Sequence, residues 1–83
     1  MSELIHEFEP RVETTGVRYA ARVYARERED GRWEGWLEFH PTEGETPVLR
    51  TAAETSQLTR EELEEWAAGI EPVYLEGALE RAR

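Results

Sequence analysis

The chain has 83 residues, a net charge of −9 and no cysteine, so it can build one small core but neither a disulfide framework nor a thiolate zinc site. All ten basic residues are arginine, and 19 acidic residues oppose long-range attraction to nucleic acid or anionic lipid. No apolar run approaches the roughly 20 residues of a membrane helix, and the first residues lack a basic segment leading into a hydrophobic one, which predicts a cytoplasmic chain.

Residues 1–16 carry Leu4, Ile5, Phe8 and Val12 among polar side chains, with Pro10 in the middle and Thr14-Thr15-Gly16 as a turn signal. Leu4, His6 and Phe8 alternate as a short edge strand would, and the alternative is a tail with a few residues docked. Pro10 suits an edge strand and not a central one.

From Val17 to His40 the pattern has period two. Val17, Tyr19, Ala21, Val23 and Ala25 alternate with Arg18, Ala20, Arg22, Tyr24 and Arg26. Trp33, Gly35, Leu37 and Phe39 alternate with Arg32, Glu34, Trp36 and Glu38 in the same way. Between these strands lies the turn signal Glu29-Asp30-Gly31. A two-residue loop would set Val23 opposite Glu38 and mix the faces. A three-residue loop, with Gly31 in the left-handed conformation, sets Val23 opposite Leu37, Ala21 opposite Phe39 and Ala25 opposite Gly35. The other face then carries Tyr24 opposite Trp36, Arg26 opposite Glu34 and Arg22 opposite Glu38. Each such pair contributes roughly 0.2–1 kcal/mol, and it is their agreement that selects the register.

His40 to Pro47 reads as a loop, with two prolines and a glycine. Gly31, rather than Gly44, is the position where a positive φ is expected. A third strand follows from Val48 to Ala53, and Glu54 to Gln57 lead out of it. Thr59 then reads as a helix N-cap with Glu62 completing a capping box and Leu58 and Leu63 in hydrophobic-staple positions. Leu63, Trp66, Ala67 and Ile70 recur at helical spacing, with Gly69 as a C-terminal stop. Glu71-Pro72 starts a second helix through Val73, Tyr74, Leu75, Ala78, Leu79 and Ala82.

The expected architecture is a single α+β domain over residues 1–83. A small antiparallel sheet of three strands, or four if the N-terminal segment pairs, occupies residues 17–55, and the helical part, 59–82, packs on one face. The core is expected to hold Val23, Trp33, Leu37, Phe39, Leu63, Trp66, Ile70 and Leu75.

Chemistry is sparse. His40 stands near Glu38 and Arg22 at the end of the hairpin, a couple able to move a proton, but no framed serine or cysteine accompanies it. His6, His40, Glu43 and Glu45 match no metal-ligand spacing, so neither metal nor cofactor is expected. The Arg18, Arg22, Arg26 stripe beside Tyr24 and Trp36 has the ingredients of a nucleic-acid stacking face, which Glu34 and Glu38 are expected to neutralise.

The order of a strand, an Asp30-Gly31 turn, a strand ending Phe39-His40-Pro41, a third strand and an acidic amphipathic helix resembles the HicB class of antitoxin domains over roughly residues 17–70. The Leu-Pro-Gly segment of that class is missing, and the loop from Pro41 to Pro47 differs. The resemblance implies an acidic domain that neutralises a basic toxin. The residues by themselves predict a non-enzymatic interaction domain that forms a homodimer or binds another protein through Tyr24, Trp36, Arg22, Arg26, Glu34 and Glu38. A small ligand-binding domain or enzyme using His40, Glu38 and Arg22 is the alternative.

Overall fold

A computed structural model describes residues 1–83. Six strands and two helices follow in the order β1 (Glu3–Glu7), β2 (Val12–Thr14), β3 (Val17–Glu27), β4 (Trp33–Pro41), β5 (Leu49–Arg50), β6 (Thr55–Gln57), α1 (Arg60–Ala68) and α2 (Pro72–Ala82). All strand pairs are antiparallel in one sheet. β3 and β4 form its centre, β1 and β2 share the free side of β3, and β5 and β6 share the free side of β4.

The central hairpin takes the register selected by its apolar face: Ala21 opposes Phe39, Val23 opposes Leu37 and Ala25 opposes Gly35. The turn closes through Gly31 N–H to the Arg28 carbonyl at 3.0 Å and Arg28 N–H to the Arg32 carbonyl at 2.7 Å, with Gly31 at φ +85°. Asp30 accepts from the Arg32 N–H at 3.0 Å, which adds a local side-chain bond to the same turn.

The sheet is larger than three or four strands because two stretches each supply a pair of short ones. The N-terminal segment does not fray. It runs along β3 twice, broken at Pro10, and a bulge between Leu4 and His6 shifts its register. Thr15 and Gly16, at φ 49° and 79°, form the tight turn that sends β2 into β3. The expected strand from Val48 to Ala53 is cut to Leu49–Arg50, and pairing resumes only at Thr55–Gln57. Thr51 explains the cut: its N–H donates to the Leu37 carbonyl at 2.9 Å while its buried hydroxyl accepts the Leu37 N–H at 3.0 Å, so a side chain takes the place of a ladder bond. Gly44 also has a positive φ, +76°, so the left-handed conformation is not confined to Gly31 among the candidate turns.

α1 begins as its capping box requires, with the Glu62 N–H donating to Thr59 Oγ1 at 3.1 Å. Leu58 stays 64% exposed and forms no buried staple. Gly69 caps the helix in the right-handed region, its N–H shared between the Glu65 and Trp66 carbonyls, so it ends α1 without a left-handed residue. α1 lies across β1, β3, β4 and β6, and α2 across β2 and β5. Between helices and sheet, Val23, Leu37, Phe39, Leu63 and Leu75 are fully buried, while Trp33, Trp66 and Ile70 pack at the margin. No helix is long and apolar enough to cross a membrane.

Gly35 sets how closely α1 approaches. A Cβ there would meet Leu63 Cδ1 at 3.2 Å and Thr55 Cγ2 at 3.3 Å. Gly35→Val is therefore expected to destabilise the fold by about 1–3 kcal/mol through overpacking. Gly77, exposed within α2 and with only Arg81 Nη1 within reach at 3.7 Å, presents the opposite case. Gly77→Ala should stabilise by about 0.5–1 kcal/mol. Urea midpoints of the two variants, moving in opposite directions, check both expectations.

Candidate functional site

The helices leave the other face of the sheet uncovered, and the register orders that face into rows. Nearest the hairpin tip, Arg26 opposes Glu34, which opposes Ser56. The next row is Leu4, Tyr24 and Trp36. A charged row follows, Glu7, Arg22, Glu38 and Arg50, one residue from each of β1, β3, β4 and β5. Ala20 and His40, then Glu13 and Arg18, continue toward the opposite end. Direct neighbours across antiparallel strands share a face, so these rows are one surface.

Within this surface the six residues expected to form an interface are brought together, with two departures from the sequence reading. Arg22 stands opposite Glu38 in register, but its Nε donates to Glu7 at 2.8 Å. β1 supplies this competitor, which the hairpin read alone does not contain. Glu38 is engaged from its own strand instead, accepting Trp36 Nε1–H at 2.9 Å and lying 3.0 Å from His40 Nε2. Trp36, expected to lie open, is only 3% exposed. The Arg50 guanidinium sits 4.5 Å from its ring centroid and covers it, a cation–π contact assembled by β5. Tyr24 is half-buried, its ring centroid 6.1 Å from that of His40. Arg26 holds Glu34 at 2.5 Å.

Four arginines of the face lie opposite a glutamate, Arg18 with Glu13, Arg22 with Glu7, Arg26 with Glu34 and Arg50 with Glu38, while Arg32 donates to Ser56 at 3.1 Å. At Arg22 and Arg26 a phosphate backbone would have to displace a bonded carboxylate, at the expense of a formed pair. Burial lowers the Arg22 pKa, yet the hydrogen bonds and charges of Glu7 and Tyr24 outweigh it and raise the guanidinium further above its already high range. Arg22 is thus a fixed cation, unsuited to exchange a proton with His40. His6 aligns with Val23 toward the core side, whereas His40 aligns with Ala20 on the outer face, so the sheet separates the two histidines. No group of three or more histidine, aspartate or glutamate side chains is placed to hold a metal ion.

A second cluster joins α2 to the bend between β5 and β6. The Glu54 side chain, 11% exposed, accepts the Tyr74 hydroxyl at 2.5 Å and also pairs with Arg81, whose guanidinium lies over the Tyr74 ring. The Glu54 N–H donates to the Gly35 carbonyl at 2.8 Å, so one residue fixes both strand and helix. Burial, together with the hydrogen bond and charge of Glu54, raises the Tyr74 pKa against the opposing pull of Arg81.

No protein-family model matches this chain, and no match was found among curated proteins or solved structures.

Arg50→Ala should destabilise the protein by about 1 kcal/mol, the scale of a cation–π contact. It should also speed hydrogen exchange at the Trp36 indole N–H relative to those of Trp33 and Trp66, as read by NMR. For Tyr74 the folded-state pKa lies above the unfolded value of about 10. Its contribution to stability is therefore complete below pH of about 10 and is lost as pH rises through the folded pKa. Unfolding measured from pH 8 to 11 should show this decline in the wild type and a shallower one in Tyr74→Phe.

Proposed function

We propose that this protein is a small non-enzymatic interaction domain that pairs with a second copy of itself through the outer face of the sheet. What carries the reading is the symmetry of the rows. The charged row alternates in sign over an even number of positions, Glu7, Arg22, Glu38, Arg50, so turning it end for end exchanges every sign. A two-fold axis running along the hairpin, between β3 and β4 and parallel to the face, performs that turn. It sets Arg22 over Glu38 of the second copy and Glu7 over Arg50 of the second copy. The neighbouring rows obey the same exchange, with Arg26 over Glu34 and Tyr24 over the Trp36–Arg50 stack. Two-fold contacts of this kind are the commonest way for a soluble chain to self-associate. Twisted sheets stacked at about 30° to each other keep their central rows in register.

The energetics favour pairing over exposure to a different partner surface. Arg22 with Glu7 and Arg26 with Glu34 are already paired within their own chain, so closing the face buries these as neutral pairs, and Arg50, which has no ion pair of its own, gains Glu7 of the second copy. Leu4, 50% exposed, and half-buried Tyr24 supply apolar area beside them. The enzyme reading of His40, Glu38 and Arg22 is weaker on the same geometry. Glu38 is committed to Trp36 as well as His40, and Arg22 is turned to Glu7.

Solution mass by light scattering tests the proposal. The wild type is expected to be a dimer. Arg26→Glu, at a side chain 57% exposed, places like charges together twice in the symmetric pair and should give a folded monomer. The exchange Arg26→Glu with Glu34→Arg restores the alternation and should restore the dimer. A monomeric wild type, or a dimer indifferent to Arg26→Glu, would sink the idea.

A further inference from the structure

Charge is distributed differently over the helices. Arg60 pairs with Glu3 at 3.1 Å and with Glu64, Arg81 with Glu54, and Arg83 with Glu80 at 3.0 Å, which engages every cation of α1, α2 and the C-terminus. Glu61, Glu62, Glu65, Glu71 and Glu76 make no ion pair, and all five are exposed. The outer sheet face sets its charges in opposed rows, and the helical layer carries five unpaired carboxylates.

That charge borders an apolar groove at the corner between α1 and α2. Trp66 and Ile70, both half-buried, meet Val73, 70% exposed, and Tyr74, 36% exposed, and Glu65 and Glu71 stand at the margin. The Trp66 and Tyr74 rings meet edge to face with centroids 6.4 Å apart. The groove is fixed by its backbone. Ile70 N–H donates to the Ala67 carbonyl at 3.2 Å, Gly69 caps α1, Glu71 is extended, and Pro72 opens α2. Tyr74 is held from behind by Glu54. A partner therefore meets a formed slot and orders little of this chain on binding.

We infer that this corner binds an amphipathic segment of another protein, apolar along one side and rich in lysine or arginine along the other. Its apolar side chains lie on Trp66, Ile70 and Val73, and its cations reach Glu65 and Glu71. The charge of the slot selects the occupant. A neutral or acidic apolar segment would cover these carboxylates and remove their water without supplying a counter-charge, which is costly. A basic one supplies the counter-charge and is drawn in by the field of a chain with net charge −9. Helix-in-groove recognition uses this combination of a hydrophobic floor and charged margins. The groove lies on the helical side of the sheet, so the inference is independent of pairing through the opposite face.

The test uses the full chain and two synthetic 18-residue helical peptides, one with leucine along one face and lysine along the other, the second with glutamate replacing every lysine. Binding is followed by tryptophan fluorescence and calorimetry. The lysine peptide is expected to bind and the glutamate peptide not to. Val73→Ser, at a largely exposed position, should weaken lysine-peptide binding about tenfold by removing one apolar contact. Glu65→Gln with Glu71→Gln should weaken it about as much and flatten its salt dependence. Glu9→Gln with Glu43→Gln, which removes the same net charge far from the groove, should leave affinity within about twofold. Equal weakening by the two glutamate double variants, with Val73→Ser unchanged, would mean that the peptide reads net charge alone, and would overturn the proposal. Absence of lysine-peptide binding, or equal binding of the glutamate peptide, would also overturn it.

Discussion

The register of the β3–β4 hairpin is the constraint on which the rest depends. Side chains alternate between faces every residue, so the three-residue turn ending at Gly31 decides at once which residues form the core and which form the outer surface. With Val23 against Leu37 and Ala21 against Phe39, the inner face becomes the apolar floor on which Leu63 and Leu75 rest. The same alignment leaves arginine against glutamate across the outer face. A slip of one residue would bury Trp36 and Glu38 beneath the helices and expose Leu37 and Phe39. Core formation and the charge pattern of the outer face therefore support each other, although only the first supplies substantial stability.

The hairpin, the α1 cap and the start of α2 were legible in the sequence because each is specified by neighbours in the chain. The alternation of Tyr19 to Ala25 and Trp33 to Phe39, the Thr59–Glu62 box and the Glu71-Pro72 start are local signals. What escaped was non-local. Arg22 has two glutamates within reach of the fold, and the choice of Glu7 over Glu38 follows from the pairing of β1, placed by long-range contact. Nothing near Trp36 in the chain covers it, so the sequence alone leaves it open, and Arg50 arrives from a strand whose length Thr51 cuts short. The Val48–Ala53 stretch has no strict alternation, so its register had no signature to read. Helical spacing places Trp66 and Ile70 in the core and does not reveal the groove they form with Val73 and Tyr74. Spacing gives a face but not how far that face extends beyond the sheet it covers.

The two layers thus divide the charged residues by function within the fold. Arginine on the sheet stands in rows opposite glutamates, with Arg22 and Arg26 bonded to theirs, and a planar guanidinium can also lie over an aromatic ring, as that of Arg50 does over Trp36. Lysine, absent from this chain, would supply the charge without the planar fit. On the helices glutamate is in excess, where it suits helical propensity and, in the first turn of α1, the positive end of the helix dipole. The net charge of −9 is shared between the two parts of the chain, −5 over residues 1–57 and −4 over the shorter helical part, residues 58–83.

The borders of the sheet are interrupted on both sides, by the Leu4–His6 bulge and Pro10 along β3 and by the Thr51–Glu54 break along β4. Neither border offers an unbroken run of backbone donors and acceptors longer than the five residues of β1. An eleven-residue strand rich in valine, tyrosine and alanine would otherwise be a template for adding further chains side by side. Here it is flanked on both sides, and the outermost strands are too short and too kinked to pass the pattern on. Lateral addition of a further strand meets no long, straight edge on either border, so the eleven-residue strand is closed off as a template.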